Sequence, residues 1–404
     1  MNKILFITNL IPFPLDNGGK IKSYNTLMAL SKNYSVDVLC FANSSNDIKY
    51  KDILSEELNS ITVVPKTIVR SSSKTTFIKE YFKSVLTSKP YSINKFLDKS
   101  FIQHLQNYLS KNEYEFVYID HLPMMVYLKY LGGIPVLLDQ HNVESLIFKR
   151  FIETETNVVK KVLGLYEYRK LRNFEVNSML SASHIICLSK EDFNEFANMG
   201  VEKEKLSVLP IHLTLNKKYN IKRFDFKKIK ILFLGSMSWY PNQSGLKWFM
   251  ENVWNKLNPD EYELYIVGGN PPSFIKSYNN NTNVFVTGYV DDVDKYIEKC
   301  DVSIVPLFIG SGQRVKIIES FGKGIPVIST SIGAEGLVGT SGKDLLIADT
   351  KEEFIEQLES IKLNREILIE LSTNAMHTFN NYYSSEKLPD KLIPIISQMS
   401  KSKE

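Results

Sequence analysis

Hydrophobic and polar positions alternate along this chain on two length scales: short apolar runs of strand length are separated by longer segments in which apolar residues return every three or four positions. The first series of runs is KILFITN from Lys3, VDVLCF from Val36, SITVVP around Ile61, EFVYID ending at Asp120, IPVLLDQH ending at His141, HIICLS ending at Ser189 and KLSVLP ending at Pro210. Near-continuous apolar runs mark strands buried on both faces, and helical segments between them are the pattern of βαβ units with a parallel sheet. A helix is expected from Ile21 to Ser31, between the first two runs. A polar, basic stretch without a clear period follows Pro210, and residues 213–228 are read as a linker. A second series then runs through IKILFLG, YELYIVGG, NVFVTG, DVSIVPL, IPVIS and DLLIAD, with amphipathic helical segments from Lys351 onward. The expectation is an α/β protein of two Rossmann-like α/β/α domains, residues 1–212 and 229–382, with a final helix over 383–404. A ligand cleft is expected between the domains, where strand ends and Gly-bearing loops converge.

Length agrees with that division, because 404 residues exceed what one hydrophobic core usually supports. With 43% hydrophobic and 23% charged residues the composition is that of an ordinary globular protein. A net charge of +4 argues against nucleic acid as the main partner. Cys40, Cys187 and Cys300 are far apart, odd in number and set in or beside apolar runs, which fits small buried side chains rather than a disulfide or metal framework. The opening MNKILFITNLIPFPL lacks a small-residue cleavage site and runs straight into Asp16, Asn17, Gly18 and Gly19, so it reads as a buried strand and a loop. With no apolar run of membrane-spanning length, a cytoplasmic protein is expected, with the inner face of a membrane as a further setting. One segment bears on that setting. Between Lys66 and Ser100, Phe77, Tyr81 and Phe82 mix with Lys74, Lys79, Lys83 and Lys89. A solvated helical excursion is the stronger reading of this stretch, and contact with an anionic membrane surface the alternative.

Candidate chemistry concentrates in GSGQRVKIIESFGKGIPVIS, Gly310 to Ser329. A strand, a Gly-bearing loop and a short helix carrying Arg314, Lys316 and Glu319 put a basic pair and one acid at a helix start. There, free N–H groups attract anions and glycines let a phosphate approach the main chain. Lys316 and Glu319 share a helix face by spacing. Gly18 and Gly19 precede a helix at the end of the first strand, and Gly235 ends the first strand of the second series, before Trp239 and Tyr240. Trp248 and Phe249 read as packing residues. His141 stands at the C-terminal end of a strand, the side on which open α/β sheets bind ligands. Asp120 and His121 share that address, with helix capping as the simpler role for Asp120. Asp292 and Asp294 form an Asp-x-Asp, but they open an amphipathic helix and are expected to cap it rather than hold a metal.

Together these segments resemble the family 4 glycosyltransferases of the GT-B fold, and the resemblance spans nearly the whole chain. PFPLDNGGKIKSYNTLMAL is similar to the family's acceptor-side loop, LDQHNVE to its strand-end His-Asn motif and GSGQRVKIIESFGKGIPVISTSIGAEGL to its donor-site motif. Many members carry a Glu, seven residues and a second Glu in that last motif. Here Glu319 fits the second, ribose-binding position and Ser311 stands at the first, as in a subgroup with a Gly-rich turn and an Arg-x-Lys before the ribose glutamate. Where the common pattern has Gly-Arg and a later lysine for the diphosphate, this chain has Gly235 and Ser236, and Arg314 and Lys316 are expected to supply the charge.

The resemblance implies a retaining, metal-independent transfer from a nucleotide-diphosphate sugar to an acceptor hydroxyl. The donor site would comprise Gly18, Gly19, Gly235, Val290, Ser311, Gly312 and Glu319, with His141, Arg314 and Lys316 serving the reaction. No cofactor is expected beyond the donor, and the acceptor would be a glycan or lipid-linked glycan in bacterial surface polysaccharide or glycoconjugate synthesis. The resemblance also implies that the final helix returns to the first domain. A sugar-nucleotide 2-epimerase of the same fold and a non-catalytic glycan- or partner-binding protein are the alternatives.

Overall fold

Seven parallel strands form the first sheet: β1 (Lys3–Thr8), β2 (Ser35–Ala42), β3 (Ser60–Pro65), β4 (Val117–Asp120), β5 (Val136–Asp139), β6 (His184–Cys187) and β7 (Leu206–Val208), in the order β3-β2-β1-β4-β5-β6-β7. The computed structural model describes residues 1–44, 47–66, 87, 89–153, 155–221, 224, 227–310 and 312–401. Most of the basic, aromatic excursion, including Lys74, Phe77, Lys79, Tyr81, Phe82 and Lys83, lies outside the described residues, as does Ser311.

Alternate residues of each strand serve opposite faces. Leu5, Ile7, Leu39, Phe41, Val117 and Ile119 pack with Phe101, Leu105 and Tyr127 on one side. Ile4, Phe6, Val36, Val38 and Tyr118 pack on the other with Leu27 and Leu30 of the Gly18–Ser31 helix and Leu388, Leu392 and Ile396 of the Leu388–Lys401 helix. The unit comprises Met1–His212 and Leu388–Glu404. Its first helix begins at Gly18, three residues before the expected Ile21, because the Asn17 side chain accepts the Lys20 N–H and caps the turn.

The second unit, Leu213–Lys387, holds six parallel strands in the order β10-β9-β8-β11-β12-β13. They are β8 (Ile229–Leu234), β9 (Tyr262–Val267), β10 (Val284–Gly288), β11 (Val302–Val305), β12 (Val327–Ser329) and β13 (Leu346–Ile347). Ile231, Phe233, Leu264 and Ile304 pack with Phe249 and Phe354, with Trp248 partly buried against them, while Leu232, Tyr265 and Val267 face Ile297 and Ile325. Residues read as a linker take part in this unit: Phe224 is buried in its core, and Leu213 bridges to Ser384. The Tyr240–Asn252 helix lies directly on the end of β11, since a Cβ at Gly245 would come within 2.0 Å of the Pro306 carbonyl oxygen. All three cysteines are buried and free. Among the described residues no helix is long and apolar enough to cross a membrane.

Candidate functional site

In the first unit, register brings three polar residues into line. Thr8 pairs with Asp120 across β1 and β4, and Asp120 with Asp139 across β4 and β5, at the carboxyl ends of strands beside the point where the strand order reverses. Thr8 Oγ1 and Ser23 Oγ each donate to Asp120 Oδ2 at 2.6 Å. His141 Nε2 lies 2.7 Å from Asp120 Oδ1, and His121 Nδ1 lies 3.0 Å from Oδ2. The two imidazoles lie against each other, tilted by 32°, with ring centroids 3.6 Å apart. Next to them Lys22 forms a buried ion pair with Asp139, which also accepts from Tyr118 Oη at 2.6 Å.

The electrostatics separate the two histidines. Burial alone would raise the Asp120 carboxyl, but the charges of His121 and His141 and their contacts outweigh it and hold Asp120 well below the usual carboxylate range. Burial pulls His121 down, yet the Asp120 charge overcomes it, so its imidazole is raised above the ordinary value. Burial, then the charges of His121 and Lys22, push His141 down to about 4. Near neutral pH His141 is therefore the uncharged ring that donates Nε2–H to an ionised Asp120, and His121 is the ring that more readily keeps a second proton.

His121 reaches this place with φ at 77°, an uncommon conformation for a residue with a Cβ, costing on the order of 1–3 kcal/mol. The helix start lies against the imidazole: a Cβ at Gly19 would lie 3.4 Å from His121 Nε2, an ordinary contact distance. The loop after His141 is fixed from below by Glu175, which accepts from the N–H groups of Glu144 and Ser145 at 2.8 and 3.2 Å, and burial pushes its carboxyl up to about 7. The donor atoms of Asp120, His121 and His141 lie within 4.8 Å of one another, close enough to suggest a metal. Asp120 itself accepts three side-chain hydrogen bonds, from Thr8, Ser23 and His141.

The second unit gathers its own polar group. Asn242 Nδ2 donates to the Ser236 carbonyl at 2.8 Å, and Asn242 Oδ1 accepts from Lys316 Nζ at 2.9 Å. A Cβ at Gly235 would fall 2.8 Å from Lys316 Nζ, so the lysine passes over the glycine that ends β8. Burial, then the charge of Arg314, pushes the Lys316 amine down to about 7. Arg314 does not lie in the helix as expected; it is the residue immediately before the Val315–Gly322 helix, buried, with its guanidinium 5.7 Å from the Trp239 ring centroid. Gly310 sits at φ 140°, a conformation that side-chain-bearing residues rarely adopt, and a Cβ there would lie 2.4 Å from Arg314 Nη2. Gly312 follows in the same loop at φ 76°.

Glu319 pairs with Lys323 at 2.5 Å, and Lys323 also reaches Asp294 at 2.5 Å. Lys323 and hydrogen bonds from Tyr219 and Asn216 outweigh burial and hold the Asp294 carboxyl at about 2. Of the Asp-x-Asp, Asp292 accepts the Asp294 N–H at 3.0 Å, whereas Asp294 is an ion-pair partner rather than a cap. Val290 packs, partly buried, on the Leu232 and Ile297 cluster.

The structure thus brings together Gly19, His121, Asp120 and His141 in the first unit and Gly235, Arg314 and Lys316 in the second. Asp120 is the hub of the first group and caps no helix. Lys22, Asp139 and Lys323 are partners that sequence reasoning did not single out; only Lys323, four residues after Glu319, carried a local signal in its spacing.

Residues 228–363 match the family described as Glycosyl transferases group 1. An uncharacterised 44.6 kDa protein in the cps region of Klebsiella pneumoniae is 24% identical over 96% of this chain and 98% of its own. Among solved structures, sucrose-phosphate synthase from Thermosynechococcus elongatus matches with a TM-score of 0.75 at 14% identity, covering 100% of both chains. HepE of Anabaena in complex with UDP matches with a TM-score of 0.68 at 14% identity, covering 98% of this chain and 99% of that one.

Proposed function

Since the chain has the GT-B glycosyltransferase fold and its second unit matches the group 1 glycosyltransferases, we propose that it transfers a sugar from a nucleotide-diphosphate sugar to an acceptor hydroxyl. The observation that carries this reading is the pairing of Lys316 and Arg314 at the start of the Val315–Gly322 helix, beside Gly235. Two cationic side chains and a helix N-terminus form a site for an anion whose charge grows as a bond breaks. In transfer that anion is the diphosphate. The bond from the sugar's C1 to the β-phosphate oxygen breaks, negative charge builds on the diphosphate, and the ring gains oxocarbenium character. Glu319 would hold the ribose.

Retention follows in this reading because the departing phosphate takes the acceptor proton on the face it leaves, so no side chain serves as nucleophile. Arg314 and Lys316 take the part that a metal ion plays elsewhere. Gly18 and Gly19 serve the phosphate and acceptor side, and His141 the donor sugar. The setting we propose is bacterial surface polysaccharide or glycoconjugate assembly at the inner face of the membrane, with a glycan or lipid-linked glycan as acceptor. Support comes from the Klebsiella pneumoniae relative in its cps region.

The test is incubation of the protein with a nucleotide-diphosphate sugar, with and without a panel of glycan acceptors. Free nucleoside diphosphate and a new glycoside with retained configuration are expected. An epimerised free nucleotide sugar formed without acceptor would replace transfer with epimerisation.

A further inference from the structure

Exposed aromatic side chains of the second unit gather at one end of its sheet. Trp239, Tyr240, Tyr289 and Phe308 are exposed, and each stands within six residues of the carboxyl end of β8, β10 or β11. Phe274 and Tyr382 are the remaining exposed aromatics among the described residues of that unit. Open α/β sheets bind ligands at the carboxyl end, which here also carries Gly235, Arg314 and Lys316.

Trp239 differs from the other three in two respects. Its turn is fixed by the chain itself: the Trp239 N–H donates to the Ser236 carbonyl at 3.4 Å, its own carbonyl accepts the N–H groups of Asn242 and Gln243 at 3.1 and 3.4 Å, and Met237 donates to the Gly269 carbonyl at 2.9 Å. An indole left 42% exposed on so tied a turn offers a preformed apolar surface. It is also the ring that lies over the Arg314 guanidinium, 5.7 Å from its centroid. Phe308, by contrast, packs edge-on against Trp248, with centroids 4.6 Å apart.

Trp239 and Glu319 lead to opposite faces of the sheet. The Tyr240–Asn252 helix that follows Trp239 packs Leu246 and Phe249 with Ile231 and Phe233. Glu319 is tied through Lys323 to Asp294, the first residue of the Asp294–Lys299 helix, whose Ile297 packs with Leu232 and Val267 on the other face. Five residues separate Arg314 from Glu319, about 7 Å along the helix axis. With the ribose at Glu319 and the diphosphate at Arg314, a ligand that continues past the diphosphate runs away from Glu319 and onto the indole.

We propose that Trp239 is the platform for the donor's sugar, its indole stacking on the C–H face of a hexopyranose whose diphosphate lies at Arg314 and Lys316. A pyranose chair offers a patch of weakly positive C–H groups with hydroxyls around its rim, and an aromatic face is flat, apolar and electron-rich. The inference rests on the nucleotide-sugar transfer proposed for this chain and names the transferred group as a hexopyranose held by its apolar face.

The test compares each nucleoside diphosphate with its hexose conjugate by calorimetry on the full chain: UDP with UDP-glucose, GDP with GDP-mannose and dTDP with dTDP-glucose. For the pair that binds the wild type most tightly, Trp239→Ala should weaken the sugar conjugate about tenfold and leave the bare diphosphate within about twofold, at unchanged melting temperature. Trp239→Tyr should recover most of the loss. Equal loss for both ligands would mean that the indole acts only by holding Arg314, and would overturn the proposal. So would unchanged affinity for both, or a raised acceptor KM with the two donor affinities intact. Absence of binding by all six ligands to the wild type would instead remove the nucleotide-sugar reading, and the platform with it.

Discussion

Lys316 donates to Asn242 Oδ1 at 2.9 Å, a neutral acceptor, and no carboxylate among the described residues pairs with it. Its charge is therefore uncompensated. With burial and Arg314 holding the amine at about 7, a bound diphosphate would supply the missing negative charge and raise it. Donor binding at pH 8 should then take up a proton, and affinity should weaken as pH rises above about 7. Calorimetry in two buffers of different ionisation heat measures this uptake directly. In Lys316→Met the uptake should disappear and affinity should fall on the order of tenfold to a hundredfold, the loss of a charge-assisted contact. Uptake unchanged in that variant would place the proton elsewhere.

Gly235 tests the same site by shape rather than charge. A methyl group there meets Asn242 Nδ2 at 2.7 Å and Lys316 Nζ at 2.8 Å, both ends of side chains that can move. Gly235→Ala is expected to change the melting temperature little while displacing Lys316, with donor affinity lowered roughly tenfold. A large loss of stability with intact affinity in the remaining folded protein would mean that the glycine serves the fold alone.

Asp120 makes the opposite prediction. It is fully buried and holds Thr8, Ser23, His141 and His121 together, so Asp120→Asn should destabilise the first unit by about 3–5 kcal/mol. The pH dependence carries a sign. His121, raised in the folded state, contributes stability that is present below its ordinary value and lost as pH rises through its folded value. His141, lowered to about 4, contributes stability present above its ordinary value and lost as pH falls from about 6.5 towards 4. In Asp120→Asn the loss on the alkaline side should vanish. Thermal unfolding across pH 4 to 9 reads both limbs, and an unaltered alkaline limb would show that Asp120 does not hold the His121 proton.

The strands were legible because each is an apolar run between amphipathic stretches, and such runs survive without any knowledge of neighbours. Helix starts were less so: the Gly18 start depends on the Asn17 cap, which is a hydrogen bond and not a period. Gly310, Gly312 and the Arg-x-Lys could be named from one stretch of chain because the loop that holds them is local. The cluster around Asp120 could not. Its partners Thr8 and Ser23 are 112 and 97 residues away, and only the tertiary fold, with β4 paired between β1 and β5, brings them together. Asp120 seen alone resembles a cap, and Lys22 seen alone resembles any helix lysine, until register and burial supply Asp139. Glu319 is intermediate: its place on the helix was legible, but its tie to Asp294 through Lys323 is tertiary.

In the proposed reaction Glu319 holds the ribose of a nucleotide-diphosphate sugar, and Arg314 and Lys316 face its diphosphate as the bond to the sugar breaks. Donor affinity and transfer rate of the wild type, Glu319→Ala and Arg314→Ala with UDP-, GDP-, dTDP- and CMP-sugars test this most directly. At least one diphosphate sugar should bind the wild type, with CMP-sugars, which carry a single phosphate, binding far more weakly. Glu319→Ala should lose affinity, whereas Arg314→Ala should chiefly slow transfer of the same donor. Absence of binding across the panel, or unchanged donor affinity and rate in both variants, would contradict the account.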